Sequence, residues 1–154
     1  MAVYYFDTSA LVKRYVLEKG SAFVAHATSP LRGNQAWSAS IDCVEVVAAF
    51  ARRVNTGLIS AAEASNAEQA FRNDLHHLFR VLDLSPNILA SAMGLKKLHS
   101  LRAYDAVQLA TAIEYQLRRK TLNLQPLTFL CADQMLNQAA LAEGLLADDP
   151  NRYP

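Results

Sequence analysis

Four acidic residues, spread over the whole chain, stand where their carboxylates could act together: Asp7, Glu45, Asp105 and Asp133. Asp7 and Asp133 each follow a short apolar run predicted to be a β-strand, and each precedes a predicted helix. A helix N-cap would explain either residue alone. Ligands of α/β proteins, however, bind at the carboxyl edge of a parallel sheet. Two neighbouring strands would therefore bring these carboxylates together.

Glu45 lies inside a helix predicted over residues 41–54, where no capping role explains an acid. Its carboxylate is expected either to pair with Arg52 or to point into a site. Asp42, three residues earlier on the same side of the helix, is a rival for the second role.

Asp105 falls in the first turn of a helix predicted over residues 103–119. The helix dipole favours an acid there by about 0.3–1 kcal/mol, which is one explanation for it. Asp105 also belongs to the more apolar side of that helix, where a carboxylate needs a partner or a metal ion.

A group of carboxylates is the ligand set that Mg²⁺ and Mn²⁺ prefer. Clustered carboxylates raise one another's pKa, so a cluster that stays ionised at neutral pH implies a bound cation. Such a cation neutralises a phosphodiester, lowers the pKa of bound water and stabilises the leaving oxygen. The four acids therefore suggest metal-assisted hydrolysis with water as the nucleophile.

The composition indicates one globular domain over residues 1–154. With 52% hydrophobic residues the chain can bury a core, and no stretch approaches the ~18 apolar residues of a membrane span. The N-terminus has no secretion signal, so a cytoplasmic location is expected, with Cys43 and Cys131 as buried free thiols. Because the net charge is only +1, any polyanion-binding surface must come from local clusters of Lys and Arg.

Predicted strands and helices alternate along the chain. Strands separated by helices pair in parallel. The predicted fold is therefore α/β, a three-layer α/β/α sandwich with a mostly parallel central sheet of four to five strands. The apolar runs predicted as strands cover residues 3–6, 35–39, 79–84, 127–132 and 145–147.

Four segments carry the acids in a characteristic order. Asp7 opens the run Asp-Thr-Ser-Ala-Leu-Val-Lys-Arg-Tyr, residues 38–53 contain Glu45, residues 101–112 contain Asp105, and residues 129–136 contain Asp133. Together they resemble the motifs of PIN-domain ribonucleases, and most of all the VapC toxins of type II toxin–antitoxin systems. The resemblance covers both ends and the middle of the chain. Residues 60–98 match only in their helical character.

The resemblance implies a PIN-like fold and an endoribonuclease that depends on Mg²⁺ or Mn²⁺, with RNA as its substrate. It also implies that the four acids serve as both the catalytic residues and the metal ligands. For VapC members it further implies a homodimer and a cognate antitoxin whose peptide occupies the active-site groove. The chain departs from the family at Cys131, where a Ser or Thr often stands, and no role is assigned to this thiol.

Three further residues are weaker candidates for contacting the substrate. Arg14 and Arg102 lie close in sequence to predicted metal ligands, and cationic side chains bind phosphates without reading sequence. Ser9 could support the site, although helix capping explains it equally well.

Two other function classes fit part of the pattern. A phosphatase of the haloacid-dehalogenase type also begins with a strand and an Asp, but usually has a second Asp where this chain has Ser9. A PIN-like module that only binds RNA or protein would have little reason to keep four mutually repelling acids.

Overall fold

The structure is a computed structural model that describes residues 1–153. Its centre is a sheet of five parallel strands in the spatial order β3-β2-β1-β4-β5. The strands are β1 (Val3–Phe6), β2 (Gln35–Ala39), β3 (Phe79–Leu82), β4 (Thr128–Leu130) and β5 (Leu146–Asp148).

Among residues 1–153, seven α-helices connect and cover these strands. They are α1 (Thr8–Leu11), α2 (Ser21–Ala27), α3 (Asp42–Asn55), α4 (Ala61–His77), α5 (Pro86–His99), α6 (Ala103–Thr121) and α7 (Gln134–Ala142). Short 3₁₀ turns follow α1, precede β2 and end the described chain. Helix α4 begins at a capping box, in which the side chain of Ser60 and that of Glu63 each bond the other's backbone N–H.

The sheet is buried on both faces, because alternate residues of a strand point to opposite sides. Val3 and Tyr5 join one core, which contains residues of α5, α6 and α7. Tyr4 and Phe6 face the other core, which contains residues of α1 to α4. Each face of the sheet is thus covered by helices, and the predicted α/β/α sandwich with a parallel sheet is confirmed.

The expectation that both cysteines are buried is wrong for one of them. Cys131 is buried at the end of β4, but Cys43 is exposed. Cys43 lies on the outer side of α3, beside the exposed Val44, whereas Asp42 and Val46 point inward. Apolar neighbours along the chain do not imply burial in a helix, because adjacent residues point in different directions.

Within residues 1–153, every helix is too short or too polar to cross a membrane.

Candidate active site

The register of the sheet brings Asp7 and the residues before Asp133 to the same edge. Strand β1 pairs with β4, with Phe6 opposite Leu130, and the backbone N–H of Asp7 donates to the carbonyl of Leu130 at 3.0 Å. The sequence left open whether the two strands are neighbours. They are, so both acids follow adjacent strands at the carboxyl edge of the sheet.

One cavity of about 360 Å³ lies at this edge, and all four predicted acids line it. Each acid comes from a different part of the chain: one from the end of β1, one from α3, one from the first turn of α6 and one from the N-terminus of α7. Basic side chains line the same cavity: Lys13, Arg52, Arg53 and Arg102.

Asp7 is almost fully buried and makes several hydrogen bonds. Its Oδ2 accepts from the backbone N–H of Ser9 at 2.9 Å and from the Ser9 hydroxyl at 2.6 Å. Burial raises the pKa of Asp7 above its ordinary value, and the charge of Glu45 adds to this effect, while the bonds from Ser9 oppose it. The carboxylate is therefore oriented by its own helix turn, and its ionised form is disfavoured by the surroundings.

Asp133 is the N-cap of α7, because its Oδ1 accepts from the backbone N–H of Leu136 at 2.9 Å. Its own backbone N–H donates to the sulfur of Cys131 at 3.2 Å. The Cys131 thiol in turn lies 3.4 Å from Asp7 Oδ2. Burial raises the pKa of this thiol, so it stays protonated and can donate to Asp7. Cys131 thus links two of the four acids.

Glu45 faces the cavity and is held by two neutral side chains. Its Oε2 lies 2.8 Å from the Thr8 hydroxyl and accepts from the side-chain amide of Gln108 at 2.9 Å. Gln108 is fully buried, and its own carbonyl oxygen accepts from the Tyr5 hydroxyl at 2.8 Å. Of the two roles expected for Glu45, the geometry supports the one that points into a site, since these contacts replace a pair with Arg52.

Asp42 has no exposed surface and does not line the cavity. Its carboxyl accepts from the backbone N–H of Ala39 at 3.0 Å and from Gln108 at 2.7 Å, and it lies 2.6 Å from the Thr8 hydroxyl. Its position removes it as a rival ligand to Glu45.

The Thr8 hydroxyl has one proton but contacts two carboxyl groups, those of Asp42 and Glu45. One of those groups must therefore supply a proton for both contacts to be hydrogen bonds. Burial raises the pKa of Asp42 to about 8, with the charges of Asp7 and Glu45 adding to the effect. Asp42 is thus the group that carries the proton near neutral pH.

Asp105 is half-buried in the first turn of α6. Burial, followed by the negative charges of Asp7 and Asp133, raises its pKa to about 6, and Arg102 partly opposes this. These charges act on Asp105 because the acids share one cavity. A bound cation would reverse the effect and favour the ionised carboxylate.

Although the four acids surround one cavity, they do not converge on one point. Among residues 1–153, no group of three or more His, Cys, Asp or Glu side chains has the geometry to hold a metal ion. The carboxylates nevertheless form a donor set of hard oxygens suited to Mg²⁺ or Mn²⁺.

Comparison with known proteins identifies the family. The sequence model of the PIN domain matches residues 4–124. The chain belongs to the PIN domain family. Ribonucleases VapC45 and VapC49 of Mycobacterium tuberculosis are each 31% identical to it over 113 residues, which are 73% of this chain and 76% of each relative.

The fold is shared with solved structures at lower identity. The crystal structure of VapBC2 from Rickettsia felis, bound to a DNA fragment from its promoter, has a TM-score of 0.63 and is 12% identical. The alignment covers 96% of this chain and 98% of that one. This likeness confirms the PIN-like α/β fold.

The weaker candidates for substrate contact occupy different places in the PIN domain. Ser9 lines the cavity, and its hydroxyl accepts from the backbone N–H of Ala132 at 2.9 Å, which ties Asp7 to the end of β4. Arg102 is exposed and lines the cavity beside Asp105. Arg14 does not line it. Its guanidinium donates instead to Asp74 at 2.8 Å.

Sequence reasoning gave no role to Thr8, Gln108 or Tyr5, which support the PIN-domain site. Gln108 carried one signal, since it is a polar residue three positions after Asp105, one turn along α6. Tyr5 reads as an ordinary strand residue, and only the packing of β1 against α6 reveals its contact.

Proposed function

We propose that this PIN domain is an endoribonuclease that hydrolyses RNA phosphodiester bonds with the help of Mg²⁺ or Mn²⁺, and that it is the toxin of a toxin–antitoxin pair. The observation that carries the proposal is the set of four carboxylates, from four distant segments, that line one cavity of a PIN domain. The kinship with ribonucleases VapC45 and VapC49 supports the reaction class.

In this proposal the metal ligands and catalytic residues are Asp7, Glu45, Asp105 and Asp133. When bound, the metal ion would neutralise the phosphodiester, activate water and stabilise the leaving oxygen. The protein would orient the acids: Ser9 and Cys131 act on Asp7, and Thr8 and Gln108 act on Glu45.

One of the four acids would also accept the proton released by the attacking water. Without metal, Asp105 has a pKa of about 6, and a bound cation would lower this pKa and keep the carboxylate ionised as a ligand. Arg102, in the same cavity, would contact a phosphate of the substrate. Ser9 would act through Asp7, and Arg14 is left out of the site because it is engaged with Asp74.

We infer further that a single domain over residues 1–154 acts in the cytoplasm, forms a homodimer and is inhibited by an antitoxin protein. A toxin–antitoxin complex from Klebsiella pneumoniae, 23% identical to this chain with a TM-score of 0.57, shares the fold and supports the antitoxin partner. The homodimer is an expectation from the family.

Incubation of the purified protein with single-stranded RNA tests the proposal, with Mg²⁺, with Mn²⁺ or with EDTA. We expect internal cleavage only with a divalent ion and its loss in Asp7→Asn. RNA binding without cleavage under every condition would favour the non-enzymatic binding module. Hydrolysis of a small phosphomonoester, with RNA left intact, would favour a phosphatase.

A further inference from the structure

A second set of charged residues lies on the wall of the same cavity and is not part of the acidic site. The Lys13 ammonium donates to Glu18 at 3.0 Å, and the Arg53 guanidinium donates to the other oxygen of Glu18, also at 3.0 Å. All three residues line the cavity, as does the exposed Arg52.

The Lys13 side chain is only 7% exposed, which is unusual for a lysine and requires good partners. Besides Glu18, its ammonium donates to the carbonyl oxygen of Lys19 at 2.9 Å. The backbone N–H of Glu18 donates to the Ser21 hydroxyl at 2.9 Å. The loop that carries Glu18 is thus fixed on both sides, and the ammonium is held at the cavity wall rather than swinging in solvent.

Glu18 serves both cations at once. Burial alone would raise its pKa, but the hydrogen bonds and charges of Arg53 and Lys13 outweigh burial and lower the pKa. Glu18 is therefore ionised at neutral pH and bridges the loop to α3. Glu18 accepts one of the five N–H groups of the Arg53 guanidinium, and the carbonyl of Ala49 accepts a second at 3.4 Å. Arg53 thus keeps donors for a ligand.

Helix α3 carries both one of the acids and two of the cations, and so fixes the distance between them. Glu45, Ala49, Arg52 and Arg53 all line the cavity, so one side of the helix carries a carboxylate, then a small residue, then two cations. With a rise of 1.5 Å per residue, Arg53 lies ~12 Å along the helix from Glu45. Phosphates of a duplex strand follow one another at ~3.4 Å of axial rise, and those of an extended single strand lie farther apart, so this separation corresponds to a few nucleotides at most.

We propose that Lys13, Arg52 and Arg53 form a subsite for a backbone phosphate of RNA a few nucleotides from the bond that is cut, and that Glu18 positions two of these cations. The inference rests on the proposed function for its substrate class. Because the four acids repel a polyanion, cations on the same cavity wall are needed to hold the strand beside them. Such contacts would be indifferent to base sequence.

The alternative is that the Lys13–Glu18–Arg53 contacts only fasten the loop to α3. The two accounts differ in the salt dependence of RNA binding. Each phosphate contact adds about 0.7 to the slope of log Kd against log salt for single strands. A purely structural contact affects unfolding and leaves that slope unchanged.

The test is binding of a fluorescein-labelled single-stranded RNA to the full chain in EDTA, measured by anisotropy from about 50 to 200 mM salt. EDTA prevents metal-dependent cleavage, so the measurement does not depend on nuclease activity. We expect Arg53→Gln, Arg52→Gln and Lys13→Met each to raise Kd about three- to tenfold and to lower the slope, by at most the ~0.7 that one phosphate contact contributes. Arg52 is exposed, so its variant tests the subsite even if the buried Lys13 variant fails to fold.

Arg118→Gln is the matched control, because Arg118 lies near the far end of α6, pairs with Glu114 and is absent from the cavity wall. It should bind RNA with the wild-type Kd and slope. Wild-type slopes in the folded Arg52 and Arg53 variants would overturn the subsite, even if the wild-type protein cleaves RNA. A lower slope of log Kd against log salt in these variants would support the subsite, even if the wild-type protein shows no cleavage.

Discussion

The side-chain amide of Gln108 donates a hydrogen bond to Glu45 at 2.9 Å, between residues 63 positions apart. Gln108 is itself held by the Tyr5 hydroxyl and also donates to the buried Asp42. The direction of the Glu45 carboxylate is therefore set by the contact between β1, α3 and α6, not by α3 alone.

Replacing Gln108 with Leu should weaken both metal binding and the fold, because it also removes a hydrogen-bond partner of the buried Tyr5 hydroxyl and of Asp42. The substitution keeps the approximate size of the side chain but removes the hydrogen bond that orients Glu45. A loss of about 1–2 kcal/mol in the free energy of metal binding corresponds to a roughly tenfold lower Mg²⁺ affinity. Titration calorimetry measures the affinity, and thermal unfolding serves as the separate measure of the fold. The control is Gln69→Leu on the exposed side of α4, which should leave Mg²⁺ affinity unchanged. Equal affinities in all three proteins would show that Gln108 does not position Glu45.

Asp42→Asn and Glu45→Gln should differ strongly, although the two acids are one turn apart on α3. Glu45 lines the cavity and Asp42 does not, so Glu45→Gln should reduce RNA cleavage at least a hundredfold, consistent with the ~10²-fold or larger effects of catalytic acid–base groups. Asp42→Asn should keep cleavage within about tenfold of wild type. Initial cleavage rates on one RNA compare them. A larger loss of cleavage rate in Asp42→Asn than in Glu45→Gln would indicate that Asp42, and not Glu45, is the metal ligand.

Metal binding should weaken at acidic pH because of Asp105. Its pKa is raised from 3.8 to about 6 in the metal-free protein, so below pH 6 a metal ion must displace a proton from it. Mg²⁺ affinity should fall by up to about tenfold between pH 6 and pH 5 and change less between pH 7 and pH 8. Calorimetric titrations of wild type and Asp105→Asn check this, since the variant should bind weakly and lose this part of the pH dependence.

The raised pKa of Asp105 also makes the stability of the metal-free protein depend on pH. A folded-state pKa above 3.8 means that the contribution of Asp105 is fully present below about pH 4 and is lost as the pH rises through 6. Urea unfolding in EDTA at pH 5 and pH 7 should therefore show a larger loss of stability for wild type than for Asp105→Asn. An equal loss in the two proteins would contradict the assigned pKa.

Arg14→Gln should affect the fold and leave RNA binding intact. Arg14 donates to Asp74 at 2.8 Å and to the Thr28 hydroxyl at 2.7 Å, and it lies outside the cavity. Hydrogen bonds of a charged group are worth roughly 1.5–3 kcal/mol, so urea unfolding should reveal a loss of that size. The salt slope of RNA binding in EDTA should equal that of wild type. A reduced salt slope in Arg14→Gln would show that Arg14 contacts a phosphate of the RNA.

The sequence predicted the parts of the site that depend on local pattern. An Asp at the end of each of two apolar runs predicted the sheet edge, and the pairing of β1 with β4 confirmed that the two runs are neighbours. Glu45 makes no capping bond, as predicted, but α3 begins at Asp42, so Glu45 lies in the first turn of the helix and not in its middle. Sequence alone left the direction of its carboxylate open. That direction depends on Gln108, which reaches it only through tertiary packing.

The remaining features could not be predicted because they arise from contacts between distant segments. The burial of Lys13 depends on the loop that brings Glu18 back over it. Arg14 looked like a substrate contact because it is close to Asp7 in sequence, yet the chain turns and presents it to Asp74 on α4. Proximity along the chain predicted the wrong neighbour for Arg14.

Anomalous diffraction from crystals grown or soaked with Mn²⁺ tests the central claim most directly. We predict an Mn²⁺ peak in the cavity within about 2.3 Å of carboxylate oxygens of Asp7 and at least one other of the four acids, after a small movement of the side chains. Crystals of Asp7→Asn should lack the peak. A cavity without Mn²⁺ at millimolar concentration, in a protein that still cleaves RNA, would contradict the metal site proposed for these four residues.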